Sequence, residues 1–226
     1  MMMFSHLLKI SVLTLALATL CGCALSPQRI TLAADIPSAE ANIGGNAGVI
    51  IEGRDARNRN AFGTRGGVYP DTALIVPDNN LDQLISSSLT KAFQQRGFNA
   101  LNPTNGSAQL DARLVTLNYT PSAGSVVNQV DISAVLEVTA QHNDDTLVRE
   151  YRHSVTHRQP FTPTANQNQR MINDALNHLL NQLVNDSELL VLLGGKVETN
   201  QQDDDSVPLD VSPVPESSPL LPVENE

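Results

Sequence analysis

The sequence predicts an α+β fold: a two-layer sandwich in which two amphipathic helices pack on one face of a mostly antiparallel sheet. Polar and apolar residues alternate along residues 130–141, which is the pattern of a half-buried strand. Residues 81–96 and 171–184 instead repeat apolar side chains at helical spacing. Because one face of such a sheet must be covered, we expect both helices on that face and a polar opposite face.

The strands are predicted from β-branched and alternating runs bounded by turn residues. They cover residues 47–52, 73–76, 109–119, 130–141 and 147–158, with a further short strand at 29–32. Pro77 ends the second run, and Pro160 and Pro163 follow the last. The sequence His142-Asn143-Asp144-Asp145 has turn chemistry, so the two strands beside it should form an antiparallel hairpin.

Each predicted helix has boundary signals. Asn80 and Gln83 resemble a capping box for a helix over about 81–96, and Gly97 is placed to terminate it. The second helix has its apolar stripe over 171–184. A short helical segment over 188–193 follows the interruption at Asp186-Ser187 and stops at Gly194-Gly195.

The first 22 residues predict a lipoprotein signal peptide. Lys9 precedes an apolar stretch over 10–20 that is too short to span a membrane. This stretch ends in Leu20-Cys21-Gly22-Cys23, where the small Gly22 makes Cys23 a better lipid acceptor than Cys21. Acyl chains such as palmitate on Cys23 would hold the mature chain on a membrane. The alternative is an ordinary signal peptide that is cleaved elsewhere.

The residue after Cys23 is Ala24 and not aspartate. By resemblance to the sorting of lipoproteins in Gram-negative bacteria, this predicts the outer membrane, with the domain facing the periplasm. Cys23 would be the only cysteine of the mature chain, so we expect no intramolecular disulfide and a core held by packing alone.

Four segments are expected. Residues 1–22 form the signal peptide, 23–46 a lipidated tether, 47–195 the α+β domain, and 196–226 a disordered, acidic, proline-rich tail. The tether is rich in small and polar residues. The tail combines acids and prolines and carries Lys196 as its only basic residue, so it cannot bury enough apolar surface to fold.

One family resemblance rests on the order and spacing of three stretches. They are Val49-Ile50-Ile51-Glu52-Gly53-Arg54-Asp55-Ala56-Arg57, the helix end Arg96-Gly97-Phe98, and Phe161 followed by Ile172-Asn173-Asp174-Ala175-Leu176-Asn177. In these the chain resembles the YajG-type lipoproteins of Gram-negative bacteria over about residues 45–193. The resemblance implies a periplasm-facing outer-membrane lipoprotein and transfers no catalytic residue. The acidic tail departs from the family pattern.

Catalytic, cofactor and metal sites find little support in the sequence. His153 and His157 would lie on one face of a strand about 13 Å apart, which is too far to share one ion. His178 follows Asp174 by four residues, as a surface helix pair does. Ser125 lacks a nucleophile elbow, and no phosphate-binding glycine loop is present. We therefore expect no catalytic residues, no metal, no cofactor and no nucleic-acid partner.

Four arginines cluster between residues 54 and 65 of a chain whose net charge is −10. They are Arg54, Arg57, Arg59 and Arg65, with Asp55 as the only acid among them. Guanidinium groups suit phosphate and carboxylate, so this loop is the predicted contact for an anion or a partner. The alternative is a solvated loop in which Arg57 pairs with Asp55 or a distant acid.

These observations give two functional hypotheses. The first is a non-enzymatic binding or accessory module of the envelope, anchored in the outer membrane by its lipid, whose partner is an envelope protein or glycolipid. The second is a periplasmic hydrolase or glycan-modifying enzyme without a recognisable motif. A pocket that gathers two carboxylates or a catalytic triad would favour the second.

Overall fold

A computed structural model describes residues 26–37, 42–67, 70–104, 106–123 and 127–196. The strands are β1 (Gln28–Ile30), β2 (Val49–Asp55), β3 (Gly63–Thr64), β4 (Leu74–Pro77), β5 (Ala108–Ala123), β6 (Asn128–His142) and β7 (Asp145–Gln159). The helices are α1 (Leu81–Gln95), α2 (Ala165–Val184) and α3 (Ser187–Leu192). This confirms the predicted α+β class.

Three long antiparallel strands dominate the sheet. β5 pairs with β6, and β6 pairs with β7 along the whole length of both strands. The predicted hairpin turn lies between His142 and Asp145, with Asn143 in the left-handed conformation that asparagine tolerates. The register of β5 shifts between Leu114 and Thr116, a β-bulge that reverses which residues of the strand face inward.

The edge of β5 opposite β6 pairs with two strands, β2 and β3. Both pairings are parallel, so the sheet contains parallel as well as antiparallel strands. β2 runs parallel to the first half of β5, from Val49 opposite Ala108 onward. Near the end of β5, Gly63 of β3 lies opposite Tyr119 in a parallel pair. β4 pairs antiparallel with β3, and β1 pairs parallel with β4.

All three helices cover one face of the sheet. The inward side chains of β6 alternate strictly and are almost fully buried: Val130, Ile132, Ala134, Leu136, Val138 and Ala140. They pack with the apolar stripes of α1 and α2, as the helical periodicity predicts. The other sheet face is open and carries mostly polar and charged residues.

Helix α1 lies directly on β2 because a glycine leaves room for it. A Cβ atom at Gly53 would come within 2.6 Å of Ile85 Cγ2 and of the Ser86 nitrogen. The Ser86 hydroxyl instead accepts from the Gly53 N–H at 2.8 Å and donates to the Gly53 carbonyl at 3.2 Å. The helix therefore approaches the strand closely enough for a side chain to bond its backbone.

Helix ends follow capping chemistry that the sequence contains. The Asn80 side chain accepts from the Gln83 N–H at the start of α1, and Gly97 has a φ of 84° beyond its end. Helix α2 begins earlier than its apolar stripe predicts, because Thr164 and Gln167 form a complete capping box. Asp186 caps α3.

The sheet has two distinct ends, which we name after the residues found there. The Ser26 end holds the start of β1, the end of β5, the end of β7 and the first turn of α2. The Lys196 end holds the β6–β7 turn and helix α3, and the Lys196 N–H donates to the Ile43 carbonyl there at 2.8 Å. The described chain thus enters at one end and leaves at the other.

The predicted boundary at residue 47 needs correction, because part of the expected tether 23–46 belongs to the fold. β1 is a strand of the sheet, and Ile30 and Leu32 are 2% exposed. The Leu32 N–H donates to Asn79 Oδ1 at 3.0 Å, and Asn79 Nδ2 donates back to the Leu32 carbonyl at 2.9 Å. Composition alone suggested a linker, whereas these distant partners order the segment.

Some of the predicted features lie outside the described ranges. They are the signal peptide over 1–22, the lipid acceptor Cys23, the loop serine Ser125 and the tail beyond Lys196. These stay predictions from the sequence.

Candidate functional site

A cleft opens on the uncovered face of the sheet, where the loop 56–62 passes beside β5. Its volume is about 910 Å³, within the range of ligand-binding clefts. Leu74 and Val76 of β4 and Asn118 and Thr120 of β5 line its base. A smaller cavity of about 330 Å³ adjoins it and shares Asn58, Arg59, Ala61 and Asn118 with it.

Arg57 holds the loop 56–62 in place through contacts with Asp55 and Phe62. Its guanidinium donates to Asp55 through two parallel hydrogen bonds, Nε to Oδ1 at 2.7 Å and Nη2 to Oδ2 at 2.8 Å. The same group lies over the Phe62 ring, 4.5 Å from its centroid, and the Arg57 side chain is 4% exposed. The expected Arg57–Asp55 pair therefore forms, but it is buried in the loop and not solvated.

Arg59 differs from the other three arginines. It is exposed, lines both cavities, and makes no hydrogen bond or ion pair with any residue that the structure describes. The cleft also contains one carboxylate, Asp71, among its described lining residues. Arg59 is thus a cation available to an anionic group that enters the cleft.

The remaining two arginines lie elsewhere. Arg54 is on the open sheet face, with its Nη2 2.8 Å from Glu52 Oε2 and its Nε 3.7 Å from Asp111 Oδ1. The hydrogen bond to Glu52 and the charges of Asp111 and Glu52 raise the pKa of Arg54. Arg65 donates through Nη2 to the Ser26 carbonyl at 2.7 Å. The four arginines of the predicted loop site are therefore not one cluster, and within the described part of the chain Arg59 alone of them is unpartnered.

A polar network beneath the cleft joins β5 to α2 and β1. The buried Tyr119 hydroxyl donates to Asn168 Oδ1 at 2.7 Å, and Asn168 Nδ2 donates to Gln28 Oε1 at 3.1 Å. Burial raises the pKa of Tyr119 to about 12, so the phenol stays protonated and keeps donating. The network holds the amino-terminal strand β1 against the amino-terminal turn of α2.

The histidines meet in a way that the sequence did not predict. His178 of α2 lies on the ring of His153 in β7, with the two ring centroids 4.1 Å apart. Burial, followed by the nearby His178 and His157, lowers the pKa of His153. Among the described residues no group of three or more His, Cys, Asp or Glu side chains is arranged to hold a metal ion.

Sequence reasoning located the loop but missed the cleft. Its base comes from β4 and β5, which are separated in sequence from the loop, and β3 is only two residues long and has no periodicity to detect. The one local signal was Phe62, an apolar residue that ends a polar run. Phe62 is 2% exposed and supports Arg57 from the core side.

Comparisons with known proteins give one family. Residues 34–193 match the model of a family described as "Uncharacterized lipoprotein". No curated protein matches the chain significantly. Within the described residues, no helix combines the length and the apolar character that crossing a membrane requires.

Solved structures are similar at low sequence identity. A Xanthomonas campestris protein assigned to the family model DUF330 has a TM-score of 0.44 at 11% identity, covering 70% of this chain and 95% of its own. A homologue of the neuraminyllactose-binding hemagglutinin from Helicobacter pylori has a TM-score of 0.36 at 10% identity, covering 66% and 91%. Hypothetical protein CT253 from Chlamydia trachomatis has a TM-score of 0.26 at 9% identity, covering 61% and 98%.

Proposed function

This chain belongs to the family of uncharacterized lipoproteins, and from that premise we propose that it is a non-enzymatic binding module anchored by a lipid on Cys23 in the cell envelope. The mature protein lies in the outer membrane and faces the periplasm. It is a lipoprotein of the YajG type. The support for the anchor is the Leu20-Cys21-Gly22-Cys23 sequence after an apolar stretch, together with the family itself.

The observation that carries the binding function is Arg59 in the cleft. An exposed guanidinium without a partner among the described residues can form a bidentate contact with a phosphate or carboxylate group. The amide side chains of Asn58 and Asn118 and the hydroxyl of Thr120 line the same cleft and can donate to the same group. The ligand is therefore an anionic group of an envelope protein or glycolipid.

The described residues give no observation that favours the hydrolase or glycan-modifying alternative. A glycosidase mechanism uses a pair of carboxyl groups across the scissile bond, and the described lining of the cleft contributes Asp71 alone. We therefore retain binding as the proposal.

A photocrosslinking amino acid at Asn60, at the exposed rim of the cleft, tests this function in intact cells. We expect a crosslinked protein or glycolipid whose yield falls strongly when Arg59→Gln is introduced. The matched control is Arg152→Gln, which removes the same charge from the same sheet face outside the cleft. Equal crosslinking with and without Arg59 would reject the proposal, as would equal losses from both substitutions.

A further inference from the structure

The Ser26 end of the sheet lies very close in sequence to the lipid acceptor. Three Cα-to-Cα steps separate Cys23 from Ser26, so the two residues are at most about 11 Å apart whatever the conformation of residues 24 and 25. Arg65 holds the Ser26 carbonyl, and β1 begins two residues later in the sheet. If Cys23 is lipidated as proposed above, the Ser26 end is held beside the lipid headgroups.

Apolar side chains are exposed at this same end. Phe161, in the loop between β7 and α2, is 79% exposed, and Val127, just before β6, is 42% exposed. Their positions adjoin, because Asn128 lies opposite Gln159 in the β6–β7 register. Gln28 Nε2 donates to the Ala165 carbonyl at 3.3 Å, which places the start of α2, four residues after Phe161, next to the amino-terminal strand.

The charges of the described residues favour the same orientation. Arg158 at the end of β7 and Arg170 in α2 are exposed and have no partner among the described residues. At the Lys196 end the β6–β7 turn exposes Asp144 and Asp145, which anionic headgroups would repel.

The open sheet face is less suited to lie flat on a membrane. Apart from Arg59 in the cleft and Arg158 at the Ser26 end, its described arginines are paired with acids of the same or neighbouring strands. The pairs are Arg54 with Glu52 and Asp111, Arg113 with Glu137, and Arg152 with Glu150. Those pairs leave little free positive charge for phosphate groups along the rest of this face.

We propose that the domain stands on the membrane surface by its Ser26 end, with Phe161 and Val127 inserted among the lipid headgroups and Arg158 and Arg170 facing the phosphates. The occupant of this surface is the phospholipid bilayer that holds the lipid of Cys23. An apolar side chain flanked by arginines is typical of such interfacial contacts. This proposal rests on the lipid anchor of the proposed function.

Fluorescence provides the test, because the chain contains no tryptophan. Phe161→Trp and Val127→Trp reporters are made in the full, lipidated chain, and Val148→Trp is the control. Val148 is 68% exposed and lies ten residues along β7 from Arg158, toward the Lys196 end. Each protein is reconstituted into vesicles of phosphatidylethanolamine and phosphatidylglycerol, with or without brominated acyl chains, and collected by flotation.

We expect the Phe161→Trp and Val127→Trp reporters to shift to shorter emission wavelength and to lose emission with brominated lipid, while the Val148→Trp control does neither. Protein that floats with both reporters unquenched, or with the control quenched equally, overturns the orientation and leaves the anchor intact. Protein that does not float overturns the anchor and the orientation together. The two exposed reporter sites guard against misfolding of either single variant.

Discussion

Arg57 and Arg59 lie two residues apart in one loop, and their surroundings lead to opposite expectations for the same substitution. Arg57→Gln would leave Asp55 without its guanidinium partner and remove the cation from the Phe62 ring. Breaking a buried ion pair in this way costs roughly 3 kcal/mol of unfolding free energy. Arg59→Gln removes no hydrogen bond or ion pair to a described residue and should change stability by less than about 0.5 kcal/mol.

Urea denaturation of both variants, each compared with the wild type, measures this difference. Similar unfolding free energies for the two variants would mean that Arg57 does not fix the loop.

His153 provides the expected pH dependence. Burial first, and then His178 and His157, lower its pKa below the ordinary value of 6.5, so the folded protein favours the neutral ring. The unfolded chain therefore binds the proton at higher pH than the folded chain does. The contribution of His153 to stability is complete above pH 6.5 and is lost as the pH falls from 6.5 through the folded-state pKa.

NMR titration of the His153 ring checks the direction of this shift. His178→Gln should raise the pKa of His153 part of the way toward 6.5, because the charge of His178 is removed and the burial remains. A wild-type pKa at or above 6.5 would contradict the expectation.

At the scale of elements, asparagines of α2 hold the amino-terminal segment. Asn173 Oδ1 accepts from the Ala33 N–H and Asn177 Oδ1 from the Asp35 N–H, each at 3.0 Å. Replacing both by alanine should remove about 0.5–1.5 kcal/mol per hydrogen bond. Because the segment is peripheral, the loss should appear first as faster hydrogen exchange of the amides between residues 28 and 35.

Asn166→Ala is the matched control, since Asn166 is exposed in the first turn of the same helix and bonds no described residue of the segment. Exchange that is unchanged in the double variant, or equally fast in the control, would show that these side chains do not order the segment.

Hydrophobic periodicity predicted the strands and helices well where the repeating pattern extended over many residues. The alternation over residues 130–141 and the apolar stripe over 171–184 correspond to β6 and to the buried face of α2. It could not predict β3, which is two residues long, or the parallel pairing of β1 with β4. Ile30 and Leu32 are buried, and the Leu32 backbone bonds Asn79, which is far away in sequence. Local composition cannot show such partners, and it suggested a tether.

The candidate site shows the same limit. Spacing identified a loop rich in arginine, but it could not distinguish Arg57, which is buried by Asp55 and Phe62, from Arg59, which is left in the cleft. That distinction depends on the tertiary packing of β2, β3 and β5. The contact between the His153 and His178 rings likewise requires β7 to lie against α2.

For the whole molecule, the prediction concerns the tail. The described part of the chain ends with two residues that contact the domain. Gly195 lies next to Ile43 and Phe98, and the Lys196 N–H donates to the Ile43 carbonyl. Residues 197–226 carry many acids and prolines and no basic residue, a composition without a core. Ending the chain after Lys196 should therefore leave the melting temperature nearly unchanged in differential scanning calorimetry. A fall of many degrees would show that the tail stabilises the domain.

The opposite positions of Ser26 and Lys196 also have a mechanical consequence. Tension applied between these two residues is directed along the strands, so it loads the β1–β4 pairing in shear. The hydrogen bonds of this parallel pair link the two strands side by side, so a pull along the strands loads them together rather than one after another. The asparagine contacts of α2 and Asn79 add to this resistance. The β1–β4 pairing should therefore resist such a pull better than it would if its hydrogen bonds could break one at a time.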